Sequence, residues 1–367
     1  MLAIRIIWFS HRDLKHPRSG GAEKTIYEVG RRLVQYGNDV KWISVATDSL
    51  PVTDVLSGIK VVRLPSNAFA HISVPIILRR EKYEVVVDDM AHAVPWGSEN
   101  FNHSRGTVFF HHLHRKSLKG QISLPAAFLV SGIEALYPFI YRHWPFVTES
   151  KSSFKDLKSI GINSDRILKI PPGLNVDDFM TFEKTEEPSL VYFGGMRDYK
   201  RPWESLYVLK DLITSYKDIH LFMVGSGPSL DRVREISKSI GVDKYVTFTG
   251  RLSDHQLKEI VGKAWVNVHS SLTEGFGFSI IEASAQGTPT VAYGVSGVSE
   301  AVEDGKNGIL VEDGNRKLMV EAIIKIIDGY SGNWECSSQS VAKKYSWDNT
   351  ADLWESHLEG VLNGNWQ

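Results

Sequence analysis

The chain has 367 residues, a formal net charge of −1 and apolar and charged fractions that are ordinary for a globular protein. This length predicts two domains, each able to bury its own core. The net charge argues against a general nucleic-acid binder, so no nucleic acid is expected as a partner. Basic residues exceed acidic ones in the first 180 residues, and the reverse holds beyond them. The basic half favours an anionic acceptor or an anionic membrane surface, or is a scatter of solvated side chains.

Cysteine content and hydropathy bear on the compartment. Cys336 is the only cysteine, so no intrachain disulfide can form and a reducing cytoplasm is expected. The apolar run within residues 1–10 is too short for a signal peptide and predicts a buried strand. No segment stays apolar for the roughly 18 residues of a membrane span. We therefore expect a cytoplasmic protein that is soluble or peripheral at the cytoplasmic face of a membrane.

The first half opens with a strand, a loop, a helix and a second strand. The strands are predicted over residues 4–9 and 40–45, and the helix over residues 22–36. This order predicts a doubly wound parallel sheet, in which ligands collect at the carboxyl ends of the strands. Gly20 and Gly21 end the first loop, so they lie at that edge or form only a tight turn.

Histidines and aspartates follow two later strands. A strand over residues 106–110 leads into the run His111-His-Leu-His114, which lacks a fourth ligand for zinc. Asp88-Asp89 ends a strand but lacks the Asp-x-Asp spacing of a metal-bound nucleotide, so we expect a strand cap. No metal site is predicted.

Residues 124–144 form a mostly apolar segment with basic flanks, predicted as a helix that breaks near Pro138. This composition is typical of a membrane-contacting amphipathic segment or of a helix packed on the sheet, and we favour the buried helix. The first domain is predicted over residues 1–175, with a linker at about residues 172–188.

The second domain, residues 188–345, repeats the alternation of strands and helices. Its first strand is followed by a glycine pair and three cations, Arg197, Lys200 and Arg201. Cations before a helix predict a diphosphate clamp, because Arg offers a fork of donors and Lys a point charge; exposed helix-start charges are the alternative. Two later loops contain Gly225 and Gly227, and Arg251.

The most informative stretch is residues 271–300, where Glu274 and Glu282 are separated by seven residues. Between them lie a tight glycine turn and the start of a short helix. The free N–H groups and the helix dipole suit a phosphate, and the two carboxylates suit different parts of one extended ligand, such as a nucleotide carrying a sugar. The turn and the first helical residue are Gly275, Phe276, Gly277 and Phe278.

Together with the Gly287-Thr-Pro turn and residues 302–311, this stretch resembles the donor-site signature of retaining glycosyltransferases of family 4, in glycosyltransferase group 1. The resemblance implies the GT-B fold, an α/β architecture of two facing Rossmann-like domains with parallel sheets. It also implies a C-terminal helix, within residues 346–367, that crosses back to the first domain. The implied reaction is metal-independent transfer of a hexosyl unit from a UDP- or GDP-sugar to a glycan or lipid-linked acceptor, without a cofactor.

The resemblance also implies residue roles. Glu274 is expected to bind the hydroxyls of the transferred sugar, Glu282 the ribose, Lys200 the diphosphate, and His111 the sugar as well. The family has an arginine where this chain has Gly195, so Arg197 is displaced by two residues. The other residues expected at the donor are Gly20, Gly21, Arg197, Arg201, Gly225, Gly227, Arg251, Gly275, Phe276, Gly277 and Phe278.

Two other functions stay open. A nucleotide-sugar epimerase of the same fold needs no acceptor, and a non-catalytic nucleotide- or glycan-binding subunit needs no chemistry. The glycine at position 195 favours the second, whereas Glu274, Glu282 and Lys200 argue against it.

Overall fold

The structure is a computed structural model that describes residues 3–47, 49–101, 105–117, 123–175, 179–330 and 333–365. The chain divides into two compact units. The first unit comprises Met1–Gly173 and Trp347–Gln367, and the second comprises Leu174–Ser346. Each is an α/β unit built on a parallel sheet, as the sequence predicts.

The first unit contains eight strands. They are β1 (Arg5–Phe9), β2 (Asp39–Val45), β3 (Thr53–Leu56), β4 (Ile59–Leu64), β5 (Val85–Met90), β6 (Arg105–Phe110), β7 (Phe146–Thr148) and β8 (Ile167–Lys169). The helices between them are α1 (Gly21–Gln35), α2 (Asn67–Arg80), α3 (His114–Ser117), α4 (Leu124–Ala135), α5 (Tyr137–Ile140) and α6 (Lys151–Ser159).

The sheet of the first unit has the order β3-β4-β2-β1-β5-β6-β7-β8. All its pairings are parallel except that of β3 with β4, so the predicted parallel sheet carries one antiparallel strand at its edge. The exception arises because Ser57 and Gly58 take positive φ angles, which close a tight hairpin between β3 and β4. Apolar side chains pack on both faces, as expected for parallel strands covered by helices.

The second unit has a six-stranded parallel sheet. Its strands are β9 (Ser189–Phe193), β10 (His220–Val224), β11 (Val246–Gly250), β12 (Val266–His269), β13 (Thr290–Tyr293) and β14 (Gly308–Val311), in the order β11-β10-β9-β12-β13-β14. Its helices are α7 (Glu204–Leu212), α8 (Leu230–Ser239), α9 (Asp254–Lys263), α10 (Phe278–Ala285), α11 (Val298–Ala301), α12 (Arg316–Asp328) and α13 (Asn333–Ala342).

The last helix, α14 (Trp347–Asn363), belongs to the first unit. The Trp354 ring lies 5.0 Å from the Trp8 ring and 5.2 Å from the Phe109 ring, measured between centroids. Arg32 Nε on α1 lies 2.6 Å from Asp348 Oδ1. The C-terminal helix therefore returns to the first unit after the chain has built the second.

The predicted linker, residues 172–188, crosses the division between the units. Residues 176–178 lie outside the described residues. The described part packs on the second unit: the Leu174 N–H donates to the Tyr345 carbonyl, and Lys184 Nζ donates to the Gly262 and Ala264 carbonyls, each at 2.9 Å.

Two local expectations differ from the structure. Asp88 and Asp89 lie inside β5 rather than capping it, and Asp88 accepts hydrogen bonds from Ser98 and Tyr141. The segment over residues 124–144 is only partly buried, because Tyr137 and Tyr141 lie in the core whereas the outer side of α4 and α5 is exposed. Within the described part of the chain, no helix is both long and apolar enough to cross a membrane.

Replacing Trp354 should lower the stability of the first unit. Because Trp354 is fully buried, Trp354→Ala leaves a cavity and should lower the free energy of unfolding by about 3–5 kcal/mol. Hydrogen exchange of peptides from β1 and β6 measures this loss. Leu353→Ala, on the exposed side of α14, should change it by less than about 0.5 kcal/mol. Equal effects of the two substitutions would show that α14 does not hold this core.

Candidate functional site

The predicted donor-site loops of the second unit all follow strands of its sheet, whereas Gly20, Gly21 and His111 lie in the first unit. Since β9, β10, β12 and β13 run parallel, the loops after them meet at one edge. Hydrogen bonds join the loop after β9 to the loop after β12: the Leu272 N–H donates to the Tyr199 carbonyl, and Ser270 Oγ donates to the Lys200 carbonyl. The residues predicted from separate parts of the sequence therefore form one constellation.

The close contact between two loops requires glycine at positions 225 and 227. Both have positive φ angles, of 129° and 159°. A Cβ atom on Gly225 would lie 2.0 Å from the Gly194 carbonyl oxygen, and one on Gly227 would lie 2.3 Å from the Met196 carbonyl oxygen. Any side chain at either position would push the loop after β10 away from the loop after β9.

The loop that carries Glu274 is held from two sides. The Glu274 N–H donates to the Ser296 carbonyl, and a Cβ atom on Gly297 would lie 2.0 Å from the Glu274 carbonyl oxygen. Phe276 is buried and its ring lies 5.4 Å from that of Tyr345. Gly277 has a φ angle of 76° and begins α10. The backbone of this turn is therefore fixed directly before the helix.

Lys200 and Glu274 form an ion pair at the centre of this edge. Lys200 Nζ lies 3.0 Å from Glu274 Oε1, which also accepts a hydrogen bond from Ser271 Oγ at 2.8 Å. His269 Nε2 lies 3.7 Å from the same carboxylate oxygen. The two residues predicted to bind the diphosphate and the sugar are thus direct neighbours.

The charges of this pair are stabilised by each other. Burial raises the pKa of the Glu274 carboxyl, but Lys200, His269 and the hydrogen bond from Ser271 together outweigh burial, and the net pKa is lowered. Burial likewise lowers the pKa of Lys200, but Glu274 together with Tyr199 and Tyr192 outweighs burial, and the net pKa is raised. Burial lowers the pKa of His269 to about 4. At neutral pH the group is therefore an ammonium, a carboxylate and a neutral imidazole.

The two neighbouring arginines lie in different surroundings. Arg201 has a φ angle of 47°, and its guanidinium donates to the carbonyls of Ser270 and Ser271 and to Asp313. Arg201 therefore ties the loop after β9 to the loop after β12. The Arg197 side chain is exposed, and its Nε lies 3.7 Å from the point that a Cβ atom on Gly195 would occupy. Arg197 thus extends over the glycine where the resembled family has its arginine.

Three further predicted residues surround this constellation. Arg251 follows β11, and its Nε donates to Ser226 Oγ in the loop after β10 at 3.0 Å. The Gly225 N–H donates to the Gly250 carbonyl, so these two loops are also joined. Phe278 and Glu282 lie in the first turns of α10 and are half-buried. The predicted base and ribose contacts are therefore near the same edge of the sheet.

In the first unit, the glycine loop begins α1. The Gly20 N–H donates to Glu23 Oε2 at 2.7 Å, and Gly21 is the exposed first residue of the helix. Burial raises the pKa of the Glu23 carboxyl, with a smaller contribution from Asp89. Glu23 therefore holds the backbone of the glycine loop through this hydrogen bond.

His111 lies between two carboxylates. Its Nε2 is 2.6 Å from Asp89 Oδ1, and its Nδ1 is 3.3 Å from Glu149 Oε2. Glu149 in turn accepts a hydrogen bond from Thr25 Oγ1 at 2.9 Å. Burial lowers the pKa of His111, but the two carboxylates outweigh burial and raise it to about 10. His111 is therefore an imidazolium at neutral pH and acts as a hydrogen-bond donor rather than as a base.

The sequence analysis missed Asp89 and Glu149 as partners of His111. Both lie at the carboxyl ends of strands, β5 and β7, that pair with β6 on either side. Only the strand order β5-β6-β7 shows that these acids flank His111. If the strand order had been known, the two acids could have been predicted as partners of His111.

A cluster of histidines near β1 and β5 was also missed. His11 Nε2 lies 3.2 Å from His71 Nε2, and the His11 and His92 rings stack at 4.2 Å. Arg12 Nη2 donates to His92 Nε2 at 3.1 Å. Burial lowers the pKa of His11 to about 2 and that of His92 to about 3, so both rings are neutral. Arg12 therefore supplies the positive charge next to two neutral imidazoles.

Among the described residues, no group of three or more His, Cys, Asp or Glu side chains is placed to hold a metal ion. The histidine run after β6 is not such a group, because His111 faces Asp89 and Glu149, and His114 Nε2 faces the Ala91 carbonyl.

Two Rossmann-like units and a C-terminal helix that returns to the first of them define the GT-B fold. Solved structures agree: the sucrose-phosphate synthase of Thermosynechococcus elongatus has a TM-score of 0.83 at 18% identity, over 98% of this chain and 100% of that chain. Anabaena HepE, solved in complex with UDP and glucose, has a TM-score of 0.77 at 14% identity, over 97% and 100%.

The family follows from the sequence of the second unit. Residues 176–342 match the family model described as Glycosyl transferases group 1. A D-inositol 3-phosphate glycosyltransferase of Rhodococcus erythropolis is 24% identical, and the match covers 95% of this chain and 88% of the relative. Residues 176–342, which make up nearly all of the second unit, therefore belong to glycosyltransferase group 1, and the predicted resemblance to this group is confirmed there.

The protonation of His111 should make stability depend on pH. Because the folded pKa is about 10 and the ordinary value is 6.5, the imidazolium stabilises the folded state fully below pH 6.5. This contribution should be lost as the pH rises through 10. Thermal unfolding of the wild type and of His111→Gln over this range tests it. A difference between the two proteins that does not shrink with rising pH would contradict the charged His111.

Proposed function

We propose that this glycosyltransferase moves a hexosyl unit, with retention and without a metal, from a UDP- or GDP-sugar to a glycan or lipid-linked acceptor. The observation that supports this proposal most directly is the Lys200–Glu274 ion pair, 3.0 Å long, before the N-terminus of α10. It offers a cation for a diphosphate and a carboxylate for sugar hydroxyls at adjacent positions.

The chemistry needs a positive field where negative charge develops. As the anomeric bond stretches, the leaving diphosphate gains charge, and fixed donors stabilise it without reorganisation. Lys200 and the amides of Gly275 to Gly277 are the proposed hydrogen-bond donors to the leaving diphosphate. Glu274 then accepts hydrogen bonds from the transferred sugar, and Glu282 accepts them from the ribose. With no nucleophile assigned in the protein, the acceptor attacks on the face that the diphosphate leaves, which retains the anomeric configuration.

Arg197 is the proposed substitute for the arginine that the family has at position 195. Its side chain already extends over Gly195, and its exposure leaves it accessible to a bound diphosphate. Arg201 contributes differently, since its guanidinium holds the loop carbonyls of Ser270 and Ser271. We assign it the task of shaping the diphosphate site, with Gly225, Gly227 and Arg251 bordering the nucleotide.

His111 is proposed to lie beside the transferred sugar as a fixed imidazolium. Asp89 and Glu149 hold both ring nitrogens, so the ring orientation is set before any substrate binds. Such a group contributes electrostatically and through its neighbouring backbone rather than by accepting a proton.

The acceptor is proposed to be anionic or lipid-linked and to bind the first unit. The basic excess of that half, Arg12 beside the neutral histidines, and the inositol phosphate named for the Rhodococcus relative all favour a negatively charged acceptor. The proposed compartment is the cytoplasm, where a free and exposed Cys336 stays reduced.

Nucleotide release tests this function. UDP-, GDP- and ADP-sugars are supplied separately, with and without a membrane-lipid and oligosaccharide extract. We expect release from one donor that the extract stimulates and that a chelator leaves largely intact. Conversion of the donor alone at a sugar stereocentre would show an epimerase instead. Absence of binding or turnover with every donor would favour a non-catalytic subunit, and complete loss with chelator that added metal restores would overturn the metal-free proposal.

Lys200→Ala should lower turnover at least about tenfold, because the lost contact to a developing anion is worth more than about 1.4 kcal/mol. Arg197→Ala should lower turnover less, since its side chain is exposed. The matched control is Lys210→Ala, an exposed lysine on α7. Steady-state nucleotide release with the preferred donor is the measurement. Full activity of Lys200→Ala would remove Lys200 from the diphosphate site.

A further inference from the structure

Helix α2 presents an apolar stripe to solvent. Phe69, Ile72 and Ile76 follow the spacing of one helical face, and their exposed fractions are 50%, 72% and 51%. The opposite face, with Ala70, Val74 and Leu78, is buried in the core. The exposed stripe is therefore not needed to pack the helix on the sheet.

Helices α4 and α5 present a second stripe. Phe128 is 76% exposed, Leu129 is 65% exposed and Phe139 is 64% exposed. Here too the core is supplied by other side chains, because Tyr137 and Tyr141 are fully buried. Large apolar side chains with this exposure are costly in water unless a partner covers them.

The two stripes lie on helices that contact the same turn. The turn Ser98–Phe101 packs against α2, and Asn100 Nδ2 in that turn donates to the Ile140 carbonyl of α5 at 3.1 Å. Phe101 in the same turn is itself 49% exposed. All four exposed phenylalanines of the described residues lie on these elements. We call Phe69, Ile72, Ile76, Phe128, Leu129 and Phe139 the apolar surface.

Most exposed charges at the ends of these helices are cations. Arg79 and Arg80 end α2, and Arg142 follows α5, all three exposed. The acids are buried or paired: Glu134 is buried, Glu81 after α2 pairs with Lys41, and Glu99 accepts hydrogen bonds from the Arg142 and His143 amides. Apolar side chains bordered by cations are complementary to the acyl chains and headgroups of an anionic bilayer.

We propose that the apolar surface docks the first unit on a lipid bilayer that contains anionic lipid. A second copy of the chain fits less well, because a two-fold contact through this surface would bring like charges together. Docking is independent of transfer, whereas its use in reaching a lipid-linked acceptor rests on the function proposed above.

Vesicle flotation tests the proposal. The full chain is mixed with vesicles of phosphatidylcholine alone or of phosphatidylcholine with phosphatidylglycerol. We expect the protein to float with the anionic vesicles and more weakly with the neutral ones, and we expect salt to reduce the difference. No flotation with either vesicle would overturn the proposal.

Substitutions identify the surface. Phe128→Ser with Leu129→Ser should weaken binding to anionic vesicles at least about tenfold, and Ile72→Ser with Ile76→Ser should do the same from the other stripe. Arg79→Gln with Arg80→Gln should weaken binding to anionic vesicles about tenfold and leave neutral-vesicle binding unchanged. Leu353→Ser, 40% exposed on α14 and outside the surface, is the matched control and should bind like the wild type.

Two further measurements distinguish a loss of bilayer binding from misfolding of the variants and from loss of transfer. Unchanged melting temperatures show that the variants fold, and nucleotide release with a water-soluble acceptor shows that transfer is intact. Binding that is equal in the apolar variants and the wild type would overturn the proposal. So would a dimer, in the absence of vesicle binding, that the Phe128 and Leu129 substitutions dissociate, since the surface would then be covered by a second copy.

Discussion

Parallel strand pairing is the constraint on which both candidate sites depend. In a parallel sheet each connection returns the chain to the same starting edge, so every loop that follows a strand gathers at the opposite edge. In the second unit, β9 pairs with both β10 and β12, which places the loops of Lys200, Gly225 and Glu274 side by side. In the first unit, the order β5-β6-β7 brings Asp89, His111 and Glu149 together from residues far apart in sequence. The chemistry at each edge follows from strand order.

The buried charges described at these edges lie close to charges of opposite sign. Lys200 faces Glu274, His111 faces two carboxylates, and beneath the first sheet Arg63 Nε lies 2.7 Å from Asp13 Oδ2 with both side chains fully buried. Removing charges from water costs several kcal/mol for each ion, which the partner offsets only at close distance. The Lys200–Glu274 pair also leaves its charges beside the N-terminus of α10, where a diphosphate sugar would interact with both. A polar site of this kind is organised before the substrate binds.

The outer side of α2, α4 and α5 exposes large apolar side chains instead of paired charges. Residues 124–144 are apolar around much of the helix, so their sequence does not distinguish a buried face from an exposed one. The structure separates them: the tyrosines pack in the core while Phe128 and Phe139 face solvent. Arg79 and Arg80 end α2 and Arg142 follows α5, all three exposed, whereas the described acids next to these helices are buried or paired. Burial in the core, which the sequence favoured, is therefore correct for one side of this segment and wrong for the other.

The sequence by itself determined the alternation of strands and helices and the glutamate pair around the glycine turn, because periodicity, turn residues and residue spacing are local properties. The GT-B class was implied by the resemblance of this stretch to the family 4 donor-site signature. The sequence did not determine β3, whose hairpin depends on positive φ angles at Ser57 and Gly58, nor the partners of His111. The expected donor role of Gly225 and Gly227 stays a prediction, and the structure adds that a neighbouring loop excludes a side chain at both positions. Only the tertiary structure decided these points, because contacts between residues distant in sequence depend on the order of strands in the sheet, and local pattern does not specify that order.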